Sequence, residues 1–254
     1  MTDREIIKCI NDGANYYVSM FGNAEHMEIV HKEFYSYVKP MTDEHGINII
    51  YNVHIENLAI EQQKEVVAEM KALHMPIWID LLASDELFFW VFGKKKLHGQ
   101  TVFDDNDEIY MALLPDEKVS TIPSKEGIVS VKSVEEFALW AQIANDVLAG
   151  GYPDMHPIYH YPLCQNGLMK CYICYSNGIP VSVAAIMNNN GVVSLEFVAT
   201  IPEMRRRGLA KAVCEKAVCD ALEEGAKIIT VRAVDSTAGK LYQSLGFKAY
   251  NYAI

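Results

Sequence analysis

Apolar and polar positions alternate along this chain in two rhythms, and the second half carries them most regularly. In residues 131–148, Val134, Phe137, Ala138, Ala141, Ile143 and Val147 recur at helical spacing and stop at Gly150 and Gly151. Residues 152–167, rich in Pro, His and Tyr, read as a loop. Residues 168–175 and 179–187 read as two strands of a hairpin around Ser176, Asn177 and Gly178, because Asn-Gly supplies the positive φ of a tight turn. A second turn, residues 188–191, leads into a strand at 192–200. Residues 209–224 form a helix with Leu209, Val213, Ala217, Val218, Ala221 and Leu222 on its inner face, ending at Gly225. A β-branched strand at 228–234, a short helix at 237–245 and a last strand at 247–252 complete the order.

The first half echoes part of that order. Residues 47–58 read as a strand and 60–73 as a helix with Ile60, Val66, Val67, Met70 and Leu73 inward. A strand at 75–82, a helix at 84–92 and a closing strand at 108–114 follow. Strand, helix, strand, helix, strand is the order seen after residue 191, which a duplication would explain. The polar stretch 115–127, with Pro115, Pro123 and Gly127, marks the boundary between a domain over residues 1–120 and another over 128–254.

Charge sharpens this division. Half of the 254 residues are hydrophobic and the formal net charge is −11. Residues 1–127 carry 22 acidic and 11 basic side chains, whereas 128–254 carry 11 of each. An acidic chain is a poor partner for nucleic acid or an anionic membrane, so neither is expected. Residues 1–11 mix Asp3, Arg4, Glu5 and Lys8 with short apolar steps and contain no signal-peptide core. The longest apolar stretch, 76–93, is broken by Asp80, Asp85 and Glu86 and is too short to span a bilayer. These features predict a cytoplasmic protein whose six cysteines are thiols. Cys171 and Cys174 form a CxxC on a strand, where positions three apart face opposite sides, so packing is the expected role. His156, His160 and Cys164 lack an evident fourth ligand, and no metal is expected. Tyr152, Tyr159 and Tyr161 in the same stretch read as an aromatic substrate wall or as packing.

The sharpest chemical signal follows the strand at 192–200. Thr200, Ile201, Pro202, Glu203 and Met204 run into Arg205, Arg206, Arg207, Gly208, Leu209 and Ala210, which open a helix. Outward amides at a helix N-terminus, small residues that let oxygens approach, and nearby guanidinium groups together make an anion cradle. The glycine order of a P-loop or a dinucleotide fingerprint is missing. Arg205-x-x-Gly208-x-Ala210 resembles the acyl-coenzyme A pyrophosphate loop of the GNAT superfamily of N-acetyltransferases, as does the preceding Thr200-x-Pro202-Glu203-x-Arg205. Ala238-x-x-Leu241-Tyr242-x-x-Leu245-Gly246-Phe247 resembles the family's second hallmark, so the resemblance covers residues 128–254. The family's usual Asn seven residues before the tyrosine is Asp235 here, with Ser236 beside it.

The resemblance implies an α/β (α+β) fold with a mixed, mostly antiparallel sheet. In it the parallel fourth and fifth strands of the family splay apart in the C-terminal domain, and tandem GNAT-like domains are expected. It implies direct transfer of an acetyl group from acetyl-CoA to an amine. Val198, Ala199 and Thr200 would offer backbone groups to the pantetheine arm, and Arg205, Arg206, Arg207, Gly208, Leu209 and Ala210 would hold the pyrophosphate, with Ser236 as a further contact. Tyr242 would protonate the leaving sulfur, unless it is simply a core tyrosine. Glu196, the only carboxylate in 192–200, shares a face with Ser194 and Val198 in an alternating strand. It reads as the general base or as a carboxylate that binds a cationic acceptor. The first half lacks the loop, since Asn57, Leu58, Ala59, Ile60 and Glu61 follow its strand, and reads as a degenerate partner. The expected acceptor is a small-molecule primary amine and the expected state a monomer or homodimer. A non-catalytic acyl-CoA sensor and a protein-lysine acetyltransferase are the alternatives.

Overall fold

The computed structural model describes residues 1–42, 46–95, 108–115, 127–149 and 154–250. It divides into two compact units, Met1–Thr101 and Val102–Asn251.

The first unit opens with α1 (Asp3–Phe21), a helix that the apolar pattern does not predict. Its start is nevertheless written in the sequence as a capping box. Thr2 Oγ1 accepts from the Glu5 amide at 3.3 Å, and the Thr2 amide donates to Glu5 Oε2 at 2.7 Å. Ile6, Ile10, Tyr17 and Phe21 form its buried stripe. Three antiparallel strands follow, β1 (Met27–His31), β2 (Ser36–Pro40) and β3 (Ile49–Tyr51), in that spatial order. The strand expected over 47–58 shrinks to β3, because Asn52 turns into the left-handed region at φ 52°. Helix α2 (Ile60–Ala72) buries Val66, Val67 and Met70 but leaves Ile60 60% exposed, contrary to its expected inward place. The strand expected at 75–82 is reduced to one parallel bridge between Ile77 and Ile50. Helix α3 (Asp85–Phe92) is capped by Ser84, whose hydroxyl accepts from the Leu87 amide.

The second unit is built on a seven-stranded sheet. Its strands are β4 (Ile109–Leu113), β5 (Gly127–Ser130), β6 (Lys170–Ser176), β7 (Ile179–Asn189), β8 (Val192–Thr200), β9 (Ile228–Ala233) and β10 (Lys248–Ala249). Their spatial order is β10-β4-β9-β8-β7-β6-β5. All neighbours are antiparallel except β8 and β9. The strand expected to close the first half is therefore β4, inserted between β9 and β10 of this sheet. All five of its residues are buried, as a central strand with both faces covered requires.

Alternation along the strands sorts the two faces. Ile109, Met111 and Leu113 of β4, Ile229, Val231 and Ala233 of β9, and Val193 and Leu195 of β8 share one core. Leu209, Val213, Ala217 and Val218 of α6 (Leu209–Glu223) join it, with Tyr242 of α7 (Ser236–Gln243). The opposite face is covered by α4 (Val134–Leu148), whose Phe137, Trp140, Ala141, Ile143 and Ala144 are buried. Val134 and Ala138, expected inward, are exposed, and Trp140 takes the central place. Residues expected as a loop after α4 form α5 (Pro157–Gln165) instead. Pro157 sits in its first turn, where a missing N–H costs nothing, and His156 caps it by accepting from the Ile158 amide at 3.3 Å.

Candidate active site

The parallel ladder between β8 and β9 pairs Val192 with Ile228 and ends at Leu195 with Val231. β8 continues to Thr200 held by β7 alone, so a gap opens in the sheet beyond Leu195. A bulge shapes the free stretch. Ala185 pairs with Glu196 and Val183 with Ala199, so Ala184 opposes both Phe197 and Val198. Phe197 adopts φ 53°, a conformation rare for a bulky residue and concentrated at functional sites. The bulge also corrects the expected alternation. Val198 packs with the Leu195 side of the sheet, while Glu196 faces the other way with Ser194.

Glu196 is 4% exposed and its Oε2 lies 3.3 Å from Nη2 of Arg232 on β9. Burial pushes its carboxyl above the usual carboxylate range; Arg232 pulls the other way, and Glu108 adds to the rise. On the same face, Tyr110 of β4 stands beside Arg232 in register and donates from its hydroxyl to Glu108 Oε2 at 3.2 Å. Ser194 is 3% exposed, and its hydroxyl has no hydrogen-bond partner among the described residues.

At the end of β8 the chain is tied down before it turns. The Ser182 and Thr200 hydroxyls lie 2.7 Å apart, and Arg205 Nε donates to the Thr200 carbonyl at 3.2 Å. A short 3-10 turn, residues 202–204, precedes three exposed arginines. Arg207 donates to the Glu203 carbonyl, and Arg206 takes φ 62°. Gly208 then occupies the N-cap of α6 at φ 81°, and no side chain caps the helix. The leading amides of α6, from Leu209 and Ala210 onward, thus depend on something outside the helix for partners. A Cβ built on Gly208 would meet nothing within 4 Å, so the space beside this glycine is open among the described residues. Open amides, a left-handed glycine and neighbouring guanidinium groups are what a pyrophosphate-bearing ligand such as coenzyme A requires.

Tyr242 is 5% exposed and packs against Phe247 with ring centroids 5.9 Å apart, on the α6 side of the sheet. Glu196 belongs to the other face, so the two expected catalytic groups lie on opposite sides of the sheet, Tyr242 on a helix that packs over β4 and β9. Asp235, where the resemblance expects Asn, caps α7 by accepting from the Ala238 amide at 2.7 Å. Ser236 is the first residue of that helix.

The acetyltransferase (GNAT) domain family matches the chain over residues 157–253. This stretch contains the bulged strand, the arginine loop and Tyr242. Residues 157–253 are a GNAT acetyltransferase domain. No curated protein matches the chain in sequence. Among solved structures, a GCN5-related N-acetyltransferase from Kribbella flavida is 18% identical, with 94% of this chain and 91% of that one covered at a TM-score of 0.58. A GCN5-related N-acetyltransferase-like protein from Streptococcus suis 89/1591 is 13% identical, with 97% and 94% covered at 0.52. A GNAT-family structure from Novosphingobium aromaticivorans DSM 12444 is 21% identical, covers 56% of this chain at 0.45, and is itself spanned over only 59% of its length. The first two likenesses extend the shared fold across nearly the whole chain.

Within the GNAT domain, the remaining sequence candidates separate. Cys174 joins the α6-side core, whereas Cys171 lies 3.7 Å, sulfur to sulfur, from Cys164 of α5. The His156 amide donates to His160 Nδ1 at 2.8 Å, a local contact within the first turn of α5. No cluster of three metal-ligating side chains occurs among the described residues, and no described helix is long and apolar enough to cross a membrane. Tyr152 and most of the 115–127 linker lie outside the described residues. Sequence reasoning overlooked Arg232. Its one signal is a lone charge within the apolar run Ile228, Ile229, Thr230, Val231, Arg232, Ala233.

Proposed function

We propose that the GNAT domain transfers an acetyl group from acetyl-CoA directly to the primary amine of a small molecule. The observation that carries this reading is the uncapped start of α6 behind Gly208, placed at the end of a strand that has parted from its parallel neighbour. Acetyl-CoA supplies the activated acetyl group as a thioester. Arg205, Arg206, Arg207 and the amides of Gly208, Leu209 and Ala210 hold its pyrophosphate, with Ser236 beside them. Val198, Ala199 and Thr200 present backbone groups along the gap to the acyl arm. Glu196 accepts the proton of the attacking amine, and Tyr242 donates one toward the departing sulfur; a phenol stays protonated at neutral pH and suits that task. The parallel bridge at Ile77, reached from β3 through α2, supports reading the first unit as a degenerate copy without a phosphate loop.

Calorimetric titration with coenzyme A, followed by thiol release from acetyl-CoA across a panel of amines, tests the proposal. Binding that weakens at least tenfold in Arg205→Ala, with thiol release stimulated by one class of amine, is expected. Binding with no stimulation by any small amine or by lysine peptides would replace the enzyme with an acyl-CoA sensor. Stimulation by lysine peptides alone would make the acceptor a protein.

A further inference from the structure

We propose that Arg232 is the positioning residue for Glu196, holding that carboxylate in its charged form at the point where β8 and β9 part. The inference rests on the reading of Glu196 as the base in acetyl transfer. Leu195 and Val231 form the last paired rung of the parallel ladder, and Glu196 and Arg232 are the next residue on each strand. The ion pair therefore bridges the first rung at which the backbones no longer bond. Its side chains are 4% and 15% exposed. A carboxylate removed from water needs a compensating partner to remain ionised.

Among the described residues acting on Glu196, no second cation appears. On β7 the residue paired with Glu196 is Ala185, and α4 covers this face with Phe137, Trp140 and Ala141. From the β4 side come Glu108 and Tyr110, one more acid and a phenol that donates to it. Among the described groups acting on Glu196, Arg232 alone favours the charged form. Without it, burial and Glu108 both favour a protonated Glu196, which cannot take a proton from an ammonium acceptor. A lysine would keep the charge but lose the planar fork that reaches the carboxylate from a neighbouring strand.

Arg232→Gln and Arg232→Lys, prepared as full chains, test this with two readouts. The first is kcat/KM for acetyl transfer against pH, taken as the ratio of variant to wild type. The second is infrared titration of the Glu196 carboxylate, isolated by difference against Glu196→Gln. In Arg232→Gln the ratio should be low and flat in acid, climb roughly tenfold or more, and level off in alkali, as expected for a base whose midpoint has moved up by at least about one pH unit. The infrared midpoint should move up with it, and Arg232→Lys should fall between the two. Unmoved midpoints with a pH-independent loss of rate would overturn the proposal, as would failure of both variants to fold, which would make Arg232 a fold residue only. If wild type transfers no acetyl group, the infrared comparison still reads the pair. A shifted midpoint without turnover would sink the acetyl-transfer reading while leaving the control of Glu196 by Arg232 in place.

Discussion

Trp140 and Phe197 lock the bulge of β8 from the α4 side of the sheet. Their rings meet edge-on with centroids 5.4 Å apart, and Trp140 Nε1 donates to the carbonyl of Ala184 at 2.9 Å. Ala184 is the single β7 residue that opposes the two bulged residues. One fully buried side chain thus supports the strained φ of Phe197 sterically and satisfies the backbone across from it. The bulge in the stretch of β8 that runs on without β9 is built into the core of the second unit.

Replacing Trp140 with Phe keeps an aromatic ring but removes the hydrogen bond to the Ala184 carbonyl and leaves a gap. A lost buried hydrogen bond costs about 1 kcal/mol and the lost ring volume adds to it, for about 1–3 kcal/mol together. Urea unfolding should show a loss in that range, with coenzyme A affinity lowered as the bulge relaxes. Unchanged stability would mean that the bulge is held by β7 pairing alone.

Gly208→Ala isolates the backbone contribution of the phosphate loop. The added methyl meets no described protein atom within 4 Å, so within the free chain the positive φ is what the substitution penalises. A left-handed conformation costs a non-glycine residue about 1–2 kcal/mol. Coenzyme A binding measured by calorimetry should weaken by roughly tenfold, while 3′-dephospho-coenzyme A, which keeps the pyrophosphate, should lose the same factor. An unchanged affinity would show that the cradle does not need this geometry.

Much of the GNAT domain was legible because its elements announce themselves locally. The strand at 192–200 and the helix beginning at Leu209 coincide with the apolar pattern, and Asn177 and Gly178 take the positive φ values that the hairpin needs. Residues 108–114 were legible as a strand but not as a member of the second sheet, since partner choice depends on distant β9 and β10. Strict alternation placed Val198 beside Glu196, and a bulge has no signature in a run as plain as Leu195, Glu196, Phe197, Val198. In the first unit α1 does not stand out in the apolar pattern although Thr2 and Glu5 spell a capping box, because Asp3, Arg4, Glu5, Lys8 and Asp12 interrupt its apolar steps. The loop chemistry was readable from Arg205 to Ala210; the Glu196–Arg232 pair was not, because 36 residues separate its members.

Asp220 ties the back of α6 to the sheet. Burial raises its carboxyl, but hydrogen bonds from Lys216 and Lys170 more than offset this and hold it below its ordinary value of 3.8. The Tyr172 hydroxyl donates to it at 3.1 Å as well. A carboxyl depressed on folding contributes stability above its unfolded value, and that contribution is lost as pH falls through the folded value. Wild-type stability should therefore drop below pH 4 more steeply than that of Asp220→Asn, which should be the weaker protein at pH 7. Parallel acid-titration curves for the two would remove Asp220 from the acid response.

Asp80 in the first unit behaves in the opposite sense. Burial and the nearby Glu56 raise its carboxyl from 3.8 to about 6, against a hydrogen bond from Asn15 that lowers it. The folded state then binds more protons than the unfolded one between those values, so stability falls as pH rises through that window. Asp80→Asn should protect the α1 amides against hydrogen exchange better than wild type at pH 7, after correction for intrinsic rates. The advantage should disappear by pH 4, and an equal gain at both would point to packing instead of charge.

Tyr242→Phe decides whether the buried phenol acts in the reaction. The ring packs on Phe247 and is 5% exposed, so removing only the oxygen preserves the contact and should cost about 1 kcal/mol or less. A proton donor to the leaving sulfur is worth about 10²–10⁴-fold in rate. The variant should therefore bind coenzyme A as wild type does and melt nearly as high, yet release thiol at least about a hundredfold more slowly under saturating amine. Acetyl esters of more acidic thiols, whose thiolates leave without help, should narrow that gap, because they depend less on a donor. Equal turnover with acetyl-CoA would return Tyr242 to the core and require the sulfur to take its proton from elsewhere.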